Sequence, residues 1–195
     1  METVQISFTV IVMLVLLALA FDFMNGFHDA ANSIATVVST GVLKPQTAVV
    51  FAAVFNFVAY FLFPLKVAAT IGKGTIDPGI VDHYVIFGAL CGAISWNFIT
   101  WYFGIPSSSS HALIGGLVGA GMAKAGSGAV IGSGLIKILA FILLSPALGF
   151  LFGSLLMVAV GWIFFRISPS RVDKYFRRLQ LVSAALYSLG HGGND

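Results

Sequence analysis

Long apolar stretches alternate with short polar segments along almost the whole chain. Five stretches each contain enough apolar residues, or nearly enough, to cross a hydrocarbon layer that needs about 20 helical residues. They run from Ile6 to Thr40, Thr47 to Phe63, His83 to Phe103, Ser107 to Ala123 and Gly134 to Phe165. The polar segments between them are rich in Gly, Pro, Lys and Asp, as turns between helices are. Because an open sheet would leave backbone groups unpaired in lipid, the pattern predicts an all-α, polytopic membrane helix bundle.

The first and last stretches are too long for one straight helix across a membrane. In the first, residues 22–29 are polar and include Gly26, and in the last Pro146 removes a helical hydrogen bond. We therefore predict broken or tilted helices at both places. The fourth stretch can alternatively form one arm of a re-entrant hairpin.

Composition and charge strengthen the membrane assignment. Hydrophobic residues make up 58% of the chain and charged residues only 9%, against about 25% charged residues in soluble domains. The net charge of +3 is concentrated in one short segment. Its basic residues are Arg166, Arg171, Lys174, Arg177 and Arg178. Between apolar stretches such a cluster marks a cytoplasmic loop rather than a nucleic-acid surface, so we predict a multi-pass protein of the inner (plasma) membrane with no nucleic-acid partner.

The first polar cluster contains the side chains Asp22, Asn25, His28, Asp29 and Asn32. A carboxylate facing lipid costs roughly 2.5 to 3.5 kcal/mol, so we expect this cluster to face protein or water. Asp29 and Asn32 lie three positions apart, which places two hard oxygen ligands on one helical face and suits a sodium ion or a proton relay. The alternative is an extramembrane loop that joins two short helices.

A second polar cluster runs from Pro106 through four serines to His111. Pro106 can start a helix, and hydroxyls beside a helix N-terminus form an anion site. No Lys or Arg lies nearby in sequence, which favours a transport site that must release its ligand. The alternative is that the serines only cap the helix. Two further polar residues, Asn56 and Asn97, lie within apolar stretches and are interpreted as hydrogen-bonding contacts between helices, with a role as ligands the less favoured alternative.

The end of the chain, from Gly190 to Asp195, resembles the first polar cluster because both place an Asn and an Asp at a glycine-marked break after an apolar run. This similarity predicts an internal repeat of inverted topology. We expect residues 1–178 to form the first transmembrane repeat and residues 179–195 to form the truncated start of the second. On this interpretation the chain is a fragment.

Three motifs in order, Asn25–Asn32, Pro106–His111 and Gly190–Asp195, resemble the inorganic phosphate transporter (PiT) family. The resemblance implies a symporter of inorganic phosphate, driven by a proton or sodium gradient, in which two inverted halves form one central site. It implies no cofactor, and it leaves open whether phosphate travels as a free anion or a metal complex and whether the protein forms a homodimer.

The resemblance also implies roles for individual residues. The coupling cation would be bound by Asp29, Asn32, Asn194 and Asp195, which would be metal ligands only if sodium is the coupling ion. Phosphate would be held by Ser107, Ser108, Ser109 and Ser110. Supporting positions are Asp22, Asn25, His28 and His111.

Three other functions are weighed against this one. A permease for sulfate or another oxyanion would have the same fold. A membrane enzyme using Ser, His and Asp is disfavoured because the sequence contains no glycine-flanked nucleophile elbow, so we expect no enzymatic activity. A channel would be excluded by saturable, gradient-dependent uptake.

Overall fold

The computed structural model describes residues 7–63 and 74–194, which form six α-helices and no named β-strand. The helices are α1 (Phe8–Ser39), α2 (Pro45–Leu62), α3 (His83–Tyr102), α4 (Ser109–Ala125), α5 (Gly132–Phe164) and α6 (Pro169–Asn194). Of these, α1, α2, α3 and α5 are long and apolar enough to cross a membrane. The prediction of an all-α membrane protein is confirmed, while α4, with 17 residues, is shorter than the others.

The first helix is predicted to be broken or tilted; the break is wrong, because α1 continues through residues 22–29 for 32 residues, and the tilt stays a prediction. A glycine within a helix costs only about 1 kcal/mol relative to alanine, so Gly26 alone does not end it. The buried polar side chains of this segment are bonded to another helix, as described below, and the backbone need not open to satisfy them. At about 1.5 Å per residue α1 is about 48 Å long, which exceeds the about 30 Å hydrocarbon layer.

Two proline positions also differ from the sequence-based expectation. Helix α5 continues through Pro146, so the predicted interruption there is wrong as well. Pro106 does not start a helix, because α4 begins at Ser109 with Ser108 as its N-cap. In this way Ser107 and Ser108 remain outside the helix, and Ser109 is its first residue.

The described helices divide into two compact units. The first contains α1 as far as Ala31, together with α3 and α4, and the second contains the rest of α1 together with α2, α5 and α6. Helix α6 passes Arg178 without interruption. That residues beyond 178 start a second repeat stays a prediction.

In the first unit, α3 and α4 pack tightly and antiparallel. A Cβ atom at Gly88 would lie 3.3 Å from Ala120, and one at Gly92 would lie 3.7 Å from the Cα atom of Gly116. A Cβ atom at Gly116 would overlap the carbonyl oxygen of Ala89. Glycine at this position is therefore what allows the two backbones to approach so closely.

Two contacts connect the segment before α3 with the end of α4 and the residues that follow it. Ile76 forms an isolated antiparallel bridge with Val130, and the Lys124 ammonium lies 2.7 Å from a carboxylate oxygen of Asp82. Asp82 also caps α3 by accepting hydrogen bonds from the N–H groups of its first turn. The hydrogen bond from Lys124, helped by the N–H of Val85, lowers the pKa of Asp82 below its ordinary value.

The second unit is built on the packing of α2 against α6. Its apolar core consists of Val37, Ala48 and Ala184. Near the end of α6, a Cβ atom at Gly192 would lie 2.7 Å from the Cα atom of Asn56. Gly192 is thus a helix-packing position within α6, and the predicted break at this motif is wrong for the residues as far as Asn194.

Candidate functional site

The turn between α3 and α4 brings the serine motif back toward α1. Gly104 has a φ of 63°, a left-handed conformation that favours glycine. The N–H of Ile105 bonds to the carbonyl oxygen of Thr100 at 2.8 Å, which closes the end of α3. The Ser108 hydroxyl then accepts a hydrogen bond from the N–H of His111 and caps α4. These contacts place Ser109 on the first turn of α4, in the interior of the unit.

Ser109 bonds to two side chains of α1. Its hydroxyl lies 2.5 Å from the Oδ1 atom of Asn25 and 2.9 Å from the Oδ2 atom of Asp29. Asn25 and Asp29 are four positions apart, so both lie on one face of α1. Ser109 is completely buried, and Asn25 and Asp29 are each only 9% exposed. We call these three side chains the α1–α4 polar cluster.

Two oxygen atoms of α1 face the one proton of the Ser109 hydroxyl. A serine hydroxyl has one proton, yet both atoms that face it are oxygens, with the Asn25 carboxamide in the orientation given. A proton on Asp29, a rotated carboxamide, or a bound cation would each remove the imbalance. Carboxylate, carboxamide and hydroxyl oxygens are hard ligands that suit a cation such as sodium. The described residues contain no group of three or more His, Cys, Asp and Glu side chains that could hold a metal ion.

His28 lies one helical turn beyond Asn25 and faces α3. Its Nε2 atom is 3.5 Å from the hydroxyl of Thr100, which is fully buried. The Thr100 hydroxyl also donates to the carbonyl oxygen of Trp96 at 2.9 Å. The ring of His28 is therefore held against α3 at the edge of the α1–α4 polar cluster, and Thr100 is a contact that the motif analysis missed.

The four serines of the motif do not all face the same place. The Ser107 hydroxyl accepts a hydrogen bond from the indole N–H of Trp96 at 2.9 Å. Ser107 and His111 line a groove of about 600 Å³ between α3 and α4, whose walls are mostly glycine and alanine. Ser109 instead faces α1, and Ser108 caps the helix. That Ser107, Ser108, Ser109 and Ser110 bind phosphate stays a prediction.

The remaining residues predicted for the site are distributed more widely. Asp22 and Asn32 are exposed on α1, although Asp29 on the same helix is buried. Asn194 is exposed at the end of α6, in the second unit. Asp195 lies outside the described residues. Asp29 shares the Ser109 hydroxyl with Asn25, and the joint binding of a cation by Asp29 and Asn32 stays a prediction.

Asn97 is a buried polar residue for which the expected role is wrong. It is fully buried on α3, and neither its Oδ1 nor its Nδ2 atom has a hydrogen-bond partner among the described residues. Leaving a buried amide unpaired costs about 1 to 3 kcal/mol. Asn56 on α2 likewise has a buried Oδ1 atom with no partner in the part of the chain that the structure describes. The interpretation as a hydrogen-bonding contact between helices is therefore not supported for Asn97, and for Asn56 it stays a prediction.

Comparisons with known proteins give one consistent result. Residues 25–170 match the family model described as "Phosphate transporter family". The chain is 60% identical over 190 residues to a probable low-affinity inorganic phosphate transporter of Rhizobium meliloti, covering 97% of this chain and 57% of that protein. It is 50% identical over 186 residues to a protein of the same description from Bacillus subtilis, covering 94% and 56%. A solved structure titled "The sodium-dependent phosphate transporter" is 22% identical with a TM-score of 0.78, covering 95% of this chain and 54% of that one. The chain thus spans little more than half the length of these relatives.

Proposed function

The chain belongs to the phosphate transporter family, and from this premise we propose that it forms part of a secondary active transporter that moves inorganic phosphate across the plasma membrane together with a cation. Family membership indicates transport rather than catalysis. The coupling ion, either sodium or a proton, is part of the proposal, as is the assignment of residues 1–178 to one transmembrane repeat. The relatives described as inorganic phosphate transporters support the choice of phosphate over sulfate.

The observation that carries the proposal is the buried contact between Ser109 and Asp29. A carboxylate inside an apolar bundle is costly and is retained where it serves an ion pathway. Here it meets the first turn of α4, where backbone N–H groups and serine hydroxyls favour an anion. The same place therefore offers donors for phosphate and oxygens for a cation.

In the proposed mechanism, binding of the two ions is mutually dependent. No Lys or Arg lies on α1 or α3. The one lysine of α4, Lys124, lies in the last turn of that helix and is paired with Asp82. The negative charge of phosphate near Asp29 must therefore be compensated by a bound cation or proton. Release of the cation into the cytoplasm then weakens phosphate binding, which couples the two movements. We include Asn32, Asn194 and Asp195 in the proposed cation site on the resemblance given above.

The proposal is tested by uptake of labelled phosphate into proteoliposomes that contain the complete gene product. A sodium gradient and a proton gradient are imposed separately, and at least one should drive saturable uptake. Asp29→Asn should abolish coupled uptake, because it removes the charge that compensates the cation. Asp173→Asn, which makes the same chemical change in the exposed basic segment, should retain wild-type uptake. Wild-type uptake by Asp29→Asn would remove Asp29 from the site, and strong competition by sulfate would favour a broader oxyanion permease.

A further inference from the structure

Three helices of the first unit pack around a common apolar layer. Phe21 of α1, with Leu90 and Ala93 of α3, forms its buried part, and Leu113 of α4 packs against them. Because α3 and α4 are antiparallel, moving one turn toward the end of α3 means moving one turn toward the start of α4. The next layer of the unit can therefore be read from the residues one turn away on each helix.

That next layer consists of Asn25, Asn97 and Ser109. Each lies four positions from its partner in the apolar layer, and all three are buried. Two contacts support this alignment of the three helices. Ser109 bonds to Asn25 within the layer, and His28 of α1 meets Thr100 of α3 one turn further along. This alignment places Asn97 of α3 at the level of Asn25 and Ser109.

Asn97 is the member of this layer whose hydrogen-bonding groups are unused. Its amide atoms are fully buried and have no partner among the described residues. Native proteins pair nearly all buried polar groups, so an unpaired carboxamide beside a polar cluster indicates a partner that is not always present. In a transporter such a partner is the transported ion.

The Asn97 carboxamide offers an unpaired acceptor, Oδ1, and unpaired donors on Nδ2, and the donors are the groups that suit an anion. The single proton of Ser109 is directed to Asn25 or Asp29, whereas the Nδ2 atom of Asn97 carries two N–H donors that no described residue accepts. An oxyanion bound near the Asp29 carboxylate needs such donors. We propose that the Asn97 carboxamide donates a hydrogen bond to the transported oxyanion, and that α3 thereby adds a fourth side chain to the three of the α1–α4 polar cluster. This inference rests on the proposed function and adds a residue to its site.

Substitutions at position 97 that remove the hydrogen-bond donor or add a negative charge test the inference through the KM for phosphate. In the complete gene product reconstituted in proteoliposomes, Asn97→Ala should raise the KM for inorganic phosphate about tenfold or more, since a hydrogen bond to a charged group is lost. Asn97→Asp should raise it further, because a carboxylate repels the anion. Ile99→Ala, on an exposed face of α3, is the matched control and should leave the KM unchanged. The apolar variant Asn97→Leu should unfold at the wild-type temperature or above it, while sharing the raised KM.

Each other outcome overturns the inference. An unchanged KM in Asn97→Ala shows that the residue does not contact phosphate. A lower KM in Asn97→Asp than in Asn97→Ala shows that position 97 faces a cation. A raised KM that accompanies a lower unfolding temperature in all three variants shows a structural role. If the wild-type protein takes up phosphate and Asp29→Asn does not, these results refute only the role of Asn97; if the wild-type protein takes up no phosphate, the proposed function fails with it.

Discussion

Removal of the Ser109 hydroxyl is the perturbation that the structure makes most specific. Ser109→Ala deletes one oxygen that contacts Asn25 at 2.5 Å and Asp29 at 2.9 Å. Because the site is buried, water cannot replace the lost contact without entering the unit. Hydrogen bonds that involve a charged group contribute about 1.5 to 3 kcal/mol. At about 1.4 kcal/mol per factor of ten, the loss corresponds to an about 10- to 150-fold reduction in kcat/KM for phosphate uptake.

The assay is labelled phosphate uptake in proteoliposomes under a fixed driving gradient, with the amount of inserted protein measured for each variant. Ser109→Thr keeps the hydroxyl and should stay within a few-fold of the wild type. Ser95→Ala removes an exposed hydroxyl from α3 and serves as the control. Ser107→Ala should have a smaller effect than Ser109→Ala, because the Ser107 hydroxyl faces the groove between α3 and α4. Wild-type kcat/KM in Ser109→Ala, or equal losses in all the alanine variants, would refute the reasoning.

Two further predictions concern stability rather than transport. In a denaturant titration, Gly116→Ala should destabilise the protein by about 1 to 3 kcal/mol, because its Cβ atom would overlap the Ala89 backbone. Gly115→Ala is the control and should be neutral or stabilising, because the position has open space around it. Lys124→Met should lower the unfolding temperature at neutral pH, because it removes the partner that lowers the pKa of Asp82. The difference in unfolding temperature between this variant and the wild type should shrink as the pH falls below about 4. The ion pair stabilises the fold above the unfolded pKa of Asp82 and is lost as the carboxylate becomes protonated. A difference in unfolding temperature that is independent of pH would contradict the ion-pair explanation.

The positions of the helices could be predicted from the sequence, because the length and polarity of the apolar stretches determine which segments can lie in lipid. The predicted stretch from Thr47 to Phe63 became Pro45–Leu62, and that from His83 to Phe103 became His83–Tyr102. The two motifs around Asp29 and Ser109 were also identified from residue type alone. Their contact joins residues 80 positions apart.

The continuity of α1 could not be predicted from the sequence in the same way. Polar residues within an apolar stretch suggest a break only while their partners are unknown. Asn25 and Asp29 both meet Ser109 of α4, and the helix backbone remains intact. The missing information was the tertiary partner, not the local propensity.

The importance of Asn97 was also hidden from motif reasoning. A single Asn in an apolar helix is usually a contact between helices, and no neighbouring motif distinguishes it. Its spacing after Ala89 and Ala93 was a usable signal, because these residues lie on one helical face at intervals of four. What the sequence could not show is that this face meets α1 and α4 at the level of Asn25 and Ser109.

The central claim is that Asp29 and Ser109 form one energetically coupled unit. A double-mutant cycle of Asp29→Asn and Ser109→Ala, measured as the free energy of unfolding of the complete gene product in mixed micelles, tests it most directly. We predict a coupling energy of about 1 kcal/mol or more, with the double variant less destabilised than the sum of the single variants. Effects that add to within about 0.5 kcal/mol would show that the two residues do not interact and would contradict the account.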